Sequence, residues 1–122
     1  MAISPEKLAA YKQAARAREA RRQQKANERR EVAWAVARQA ARILKEKFGA
    51  TRVIAFGSLA HGAWFHTRSD IDLAAEGIAP EAFWRAWCTL DTLDSPLEID
   101  LIALESAPEH LRARISQEGV EL

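Results

Sequence analysis

Two aspartates, Asp70 and Asp72, lie two residues apart in an apolar run, and upstream of them a glycine and a serine, Gly57 and Ser58, close another apolar run from Val53 to Phe56. On a strand, alternate side chains share a face, so Asp70 and Asp72 point one way while Ile71 and Leu73 point the other. Carboxylates placed like this repel, and a hard divalent cation between them removes the repulsion. Alone, Asp-x-Asp is also what a surface strand with an acidic polar face carries. Gly57-Ser58 weighs against that plain reading. Where a strand hands over to a short helix, free backbone N–H groups and a positive dipole end offer a cradle to phosphate. Glycine lets a ligand approach the main chain, and the Ser58 hydroxyl can donate to a phosphate oxygen. Gly62 then permits the turn toward the second strand. A phosphate cradle facing a metal-binding pair of carboxylates is what transfer of a nucleotide from a triphosphate requires.

The elements that must hold these residues can be read from periodicity. Arg52 to Phe56 is expected to form one strand and Ile71 to Ala75 a second. Pro80 opens a helix with Phe83, Ala86, Trp87 and Leu90 on its apolar side, which places its tryptophans in packing roles and Cys88 in the core. In Leu97 to Ile102 alternation sets Leu97, Ile99 and Leu101 on one face and Glu98 and Asp100 on the other. Asp100 is thus a candidate third carboxylate, since aspartate is a poor strand former and this one stands between isoleucine and leucine. Ser106 to Glu109 reads as a capping box for a last helix that carries Leu111 and Ile115 inward and ends near Gln117, before Gly119. Val120 to Leu122 reads as a short edge strand. His61, His66 and His110 show no metal-ligand spacing with one another or with Cys88, and of the three only His61 is expected near a substrate.

Together Gly57-Ser58, Gly62 and Ser69-Asp70-Ile71-Asp72-Leu73 resemble the signature of the DNA polymerase β-like nucleotidyltransferase superfamily. The resemblance is nearest to its smallest members, the minimal nucleotidyltransferase (MNT) antitoxins encoded beside HEPN-domain toxins, and it covers Val53 to Leu122. The spacing between Ser58 and Asp70 is one residue longer than the commonest in the superfamily. The resemblance implies an α/β fold with a small mixed sheet and helices mainly on one side, to which the sequence ahead of it adds a long N-terminal helix. It implies Asp70, Asp72 and Asp100 as catalytic, metal-binding carboxylates for two Mg²⁺ ions, and Gly57, Ser58 and Ser69 as nucleotide-binding residues. The implied reaction moves a nucleoside monophosphate, AMP from ATP, to a hydroxyl, and in the toxin-paired members that hydroxyl is a tyrosine of the HEPN toxin. Two other functions fit the same residues: a catalytically silent module that neutralises a toxin by binding, and a transferase for small molecules.

Length and charge complete the reading. A chain of 122 residues, 48% hydrophobic and 29% charged, allows one modest domain, and no apolar run reaches the ~18 residues of a membrane span. A single cysteine and no signal-like segment fit a cytoplasmic protein. Residues 1–47 carry 13 Lys/Arg against 5 Asp/Glu, a net +8, whereas residues 48–122 carry 5 against 12, a net −7. Ser4-Pro5 starts a helix and Gly49 stops it. Its second half, from Val32, has the apolar spacing to pack on a sheet. Its first half is mostly alanine and basic residues and buries little. Residues 1–30 are therefore expected to be a basic helical arm and residues 31–122 the nucleotidyltransferase domain. With its charges around the helix and no aromatic residue among Arg16 to Arg30, the arm is expected to serve contact with a partner protein or a second copy and not nucleic acid.

Overall fold

The computed structural model describes residues 2–61 and 70–122. Gly62, Trp64, His66 and Ser69, each given a place in the reading of the sequence, lie outside the described residues. Helix α1 spans Pro5–Phe48, followed by strand β1 (Arg52–Phe56), a short helix α2 (Gly57–His61) and strand β2 (Ile71–Glu76). Helix α3 (Pro80–Asp91), strand β3 (Ile99–Ala103), a 3₁₀ turn over residues 104–106, helix α4 (Glu109–Glu118) and strand β4 (Val120–Glu121) complete the chain.

The sheet is mixed, in the order β3-β2-β1-β4. β1 runs antiparallel to both β2 and β4, and β2 runs parallel to β3 with Asp72 opposite Asp100. Alternation along the strands makes two layers. Val53, Ala55, Ile71, Leu73, Ala75, Ile99 and Leu101 face α1 and α3 and form the larger core with Ala33, Ala37, Ala40, Leu44, Ala86 and Leu90. Ile54 and Ala74 face the other way and pack with Leu104 and Ile115 beneath α4. The fold is thus the expected one, with two long helices on one face and α4 alone on the other.

Ser4 caps α1 by accepting from the Lys7 N–H at 3.2 Å, and the Gly49 N–H closes the far end on the Leu44 carbonyl. The first buried position of the helix is Ala33. Residues 5–25 are exposed without exception, so a free rod about 31 Å long projects from the domain.

Three expectations give way. The Ser106 capping box does not form: Ala107, ahead of Pro108, is extended (φ −72°, ψ 140°), as a residue before proline prefers, and α4 starts only at Glu109. The Pro108 carbonyl takes the N–H groups of Leu111 and Arg112 in its place. On α3 the buried stripe is centred on Ala86 and Leu90. Trp87 lies at its rim, 36% exposed, and Trp84 is 65% exposed, packed edge-on against Trp87 with ring centroids 5.3 Å apart. Cys88, about 200° round the helix from Ala86, is exposed and not core. β3 also begins two residues later than alternation suggests, because the Ser95 hydroxyl holds Leu97 in a local turn, accepting from its N–H and donating to its carbonyl.

Candidate active site

The strand ends decide where the carboxylates stand. Asp72, paired across the sheet with Phe56 of β1 and Asp100 of β3, points away from the α1/α3 layer, since its neighbours Ile71 and Leu73 are fully buried in that layer. Asp100, between buried Ile99 and Leu101, points the same way. Asp70 precedes β2 by one residue, and the Ile71 N–H donates to the Glu98 carbonyl at 2.8 Å, fixing the start of the parallel pair. By alternation Asp72 and Asp100 belong to the face on which α4 packs, and Asp70 stands just ahead of β2. Asp70 and Asp72 are half-buried and Asp100 is exposed.

Their charges are coupled. The Asp72 carboxyl is pushed from its ordinary 3.8 up to about 6, first by burial, then by the charge of Asp100, then by that of Asp70. Among the described residues, though, no three His, Cys, Asp or Glu side chains gather closely enough to chelate an ion. The donor set nonetheless fits a hard divalent cation: three carboxylate groups on one face, the central one destabilised as an anion by its neighbours, gain most from a shared positive charge.

Gly57 supplies the fourth element. It leaves β1 at φ +72°, a conformation side chains rarely adopt, and a Cβ built there would strike Oδ2 of Asp72, with Cγ only 3.2 Å away. The sequence suggested that Gly57 makes room for a ligand. The structure shows that it first makes room for the Asp72 carboxylate, which thereby lies against the strand-to-helix turn. Ser58 follows in the first turn of α2, half-buried, while Leu59 anchors that turn in the core. The strand-to-helix handover inferred for Gly57-Ser58 is therefore present, next to the carboxylates. His61 ends α2 at the surface.

Glu105, absent from the sequence reading, stabilises the opposite end of β2. Its carboxylate accepts the Gly77 N–H at 2.9 Å, which holds its pKa below the ordinary value. No periodicity could reveal it, because the partner is a main-chain group 28 residues away.

A small mixed sheet with acidic residues at the starts of two neighbouring strands and a Gly-Ser turn beside them is the arrangement of the nucleotidyltransferase class. The sequence profile of the nucleotidyltransferase domain matches residues 37–122, and the chain belongs to that family. Comparison with curated proteins finds no match. Among solved structures, the chain is similar to one of a toxin–antitoxin with AMP-PNP, at 27% identity and TM-score 0.57 over 70% of each chain. It is also similar in fold to the complex of a tri-AMPylated HEPN toxin from Shewanella oneidensis with its MNT antitoxin, at 22% identity and TM-score 0.54 over 73% of this chain and 70% of that one. A third likeness, to a minimal nucleotidyltransferase, has 24% identity and TM-score 0.51, covering 79% and 91% of the two chains. The resemblance to minimal nucleotidyltransferase antitoxins read from Gly57-Ser58 and Asp70 to Leu73 is thereby borne out. No helix among the described residues is long and apolar enough to cross a membrane.

Proposed function

We propose that this nucleotidyltransferase moves AMP from ATP to a hydroxyl of a partner protein, a tyrosine of a HEPN-family toxin, and so acts as a cytoplasmic antitoxin. The observation that carries the reading is the Asp72 carboxyl, lodged against Gly57 and raised by the charges of Asp100 and Asp70. The 27%-identical structure with AMP-PNP supports an adenine nucleotide as donor. Asp70, Asp72 and Asp100 would hold Mg²⁺, two ions in the full site, which would supply charge neutralisation on the phosphates and activation of the acceptor oxygen. The chain's own part is positioning. The Gly57-Ser58 turn would present main-chain N–H groups and a hydroxyl to the triphosphate, and Asp100, exposed, would stand on the side from which an acceptor approaches. The acceptor hydroxyl gives up its proton to water as its oxygen bonds to the α-phosphorus, the bond from that phosphorus to the oxygen it shares with the β-phosphorus breaks, and pyrophosphate leaves. Ser69 is proposed to contribute to nucleotide binding from its place beside Asp70.

Isothermal titration with ATP and Mg²⁺ tests the site. Wild-type protein is expected to bind, and Asp70→Asn/Asp72→Asn to bind at least about tenfold more weakly, a loss of ~1.4 kcal/mol or more. Equal affinities would refute the assignment. Transfer of label from α-³²P-ATP to a co-purified toxin tests the acceptor.

A further inference from the structure

Because α1 is a single unbroken helix, the direction of every cation on the arm is set. Arg18, Arg21, Arg22, Lys25 and Arg29 follow the spacing i, i+3, i+4, i+7, i+11 and fall within an arc of about 100°. Glu6, Glu19, Glu28 and Glu31 all lie outside that arc, and Arg16 and Arg30 stand on another side. Lys12, Arg16 and Arg30 thus stand elsewhere round the helix, while the other five form a stripe about 16 Å long from Arg18 to Arg29. Arg18, Arg21, Arg22 and Lys25 are exposed, and Arg29 is half-buried where the stripe reaches Pro96 and Leu97.

The stripe is costly to a helix alone. Arg18 and Arg22, Arg21 and Lys25, and Lys25 and Arg29 are like charges four residues apart, and among the described residues the one ion pair on this stretch is the exposed Arg22–Glu19 contact at 3.5 Å. An anionic partner relieves that cost. Between Lys12 and Glu31 the stripe carries no apolar side chain larger than alanine, the exposed Leu8, Tyr11 and Val32 standing only beyond its two ends, so a protein surface would find no apolar anchor along the stripe itself. A phosphate backbone needs no such anchor, and arginine meets phosphate in bidentate fashion. A bare α-helix some 10–12 Å across also matches the ~12 Å major groove of B-form DNA, whereas the major groove of duplex RNA is too narrow for it.

We infer that the exposed part of α1 is a binding element for duplex DNA, seated by its arginine stripe on the phosphates bordering the major groove. No amide side chain shares the arc, so the contact is to the backbone and independent of sequence. The net −7 of residues 48–122 keeps the duplex on the arm and away from the nucleotide site.

Fluorescence anisotropy with a labelled 24-base-pair duplex and the full chain, between 50 and 300 mM NaCl, tests this. Wild type is expected to give a log–log salt slope of about −4, as four or five phosphate contacts require. Arg18→Gln/Arg22→Gln should weaken binding at 100 mM salt at least about tenfold and bring the slope to about −2. Lys12→Gln/Arg16→Gln removes the same charge off the stripe and should cost less than about threefold, and Arg18→Lys/Arg22→Lys should retain the wild-type slope. Circular dichroism checks that all variants keep the helix. Equal losses from the two glutamine pairs, tighter binding to duplex RNA of the same length, no DNA binding at 50 mM salt, or a stripe-dependent dimer in sedimentation without DNA binding would each overturn the inference.

Discussion

Asp72 is a carboxyl held at the expense of the fold. Its carboxyl titrates near 6 in the folded chain and near 3.8 when unfolded, so between those values the folded state binds more proton. Stability from this group is therefore greatest below about pH 3.8, falls as pH rises through the window to 6, and stays at the lower level above it. Glu105 has the opposite sign: its pKa is depressed, so its contribution is present above 4.5 and fades as pH drops through the folded value. The urea midpoint of metal-free protein is accordingly expected to rise from pH 7 to pH 5, and Asp72→Asn should flatten that rise while raising the midpoint at pH 7. A wild-type midpoint independent of pH over this range would contradict the coupling. Gly57→Ala is a separate test of the same spot. A methyl group there meets a backbone at φ +72° and the Asp72 carboxylate together, and the expected loss is about 1–3 kcal/mol, read by denaturant melts, with ATP affinity reduced as well.

At the level of elements, α1 has two regimes that should separate experimentally. Leu44→Ala opens a fully buried position against the sheet and is expected to cost about 2–5 kcal/mol, whereas deleting residues 2–25, none of them buried, should move the melting temperature by less than about 4 °C and leave Mg²⁺-ATP binding intact. How far the elements could be read from sequence follows the range of the forces that shape them. The ends of α1, the start of α3, and β1 and β2 were legible because caps, prolines and two-residue alternation are local signals. The shared face of Asp72 and Asp100 was legible for the same reason, once both strands were placed. The exposure of Trp84, Trp87 and Cys88 was not, since only the docking of α3 decides which side of a helix with apolar residues nearly all round is covered. The capping box at Ser106 was displaced by a stronger local rule, the restriction proline imposes on Ala107. The contact of Gly57 with Asp72, and of Glu105 with Gly77, joins residues distant in sequence and carries no periodic signature.

For the molecule as a whole, the split between a basic helix and an acidic domain takes on meaning from the shape. Residues 5–31 carry nine Lys/Arg against four Asp/Glu, and most of them sit on the rod that leaves the domain. At a net charge of only +1, a sphere with mixed charges would bind weakly to any ion exchanger. With its charges drawn apart along a rod of about 31 Å, the chain is instead expected to bind both cation and anion exchangers at pH 7 and low salt, and to release from each at moderate salt. Removal of residues 2–25 should abolish only the first behaviour. The projecting helix therefore gives a nearly neutral protein a large permanent dipole, one able to turn the molecule in the field of a charged polymer or surface before any contact is made, arm foremost and acidic domain trailing.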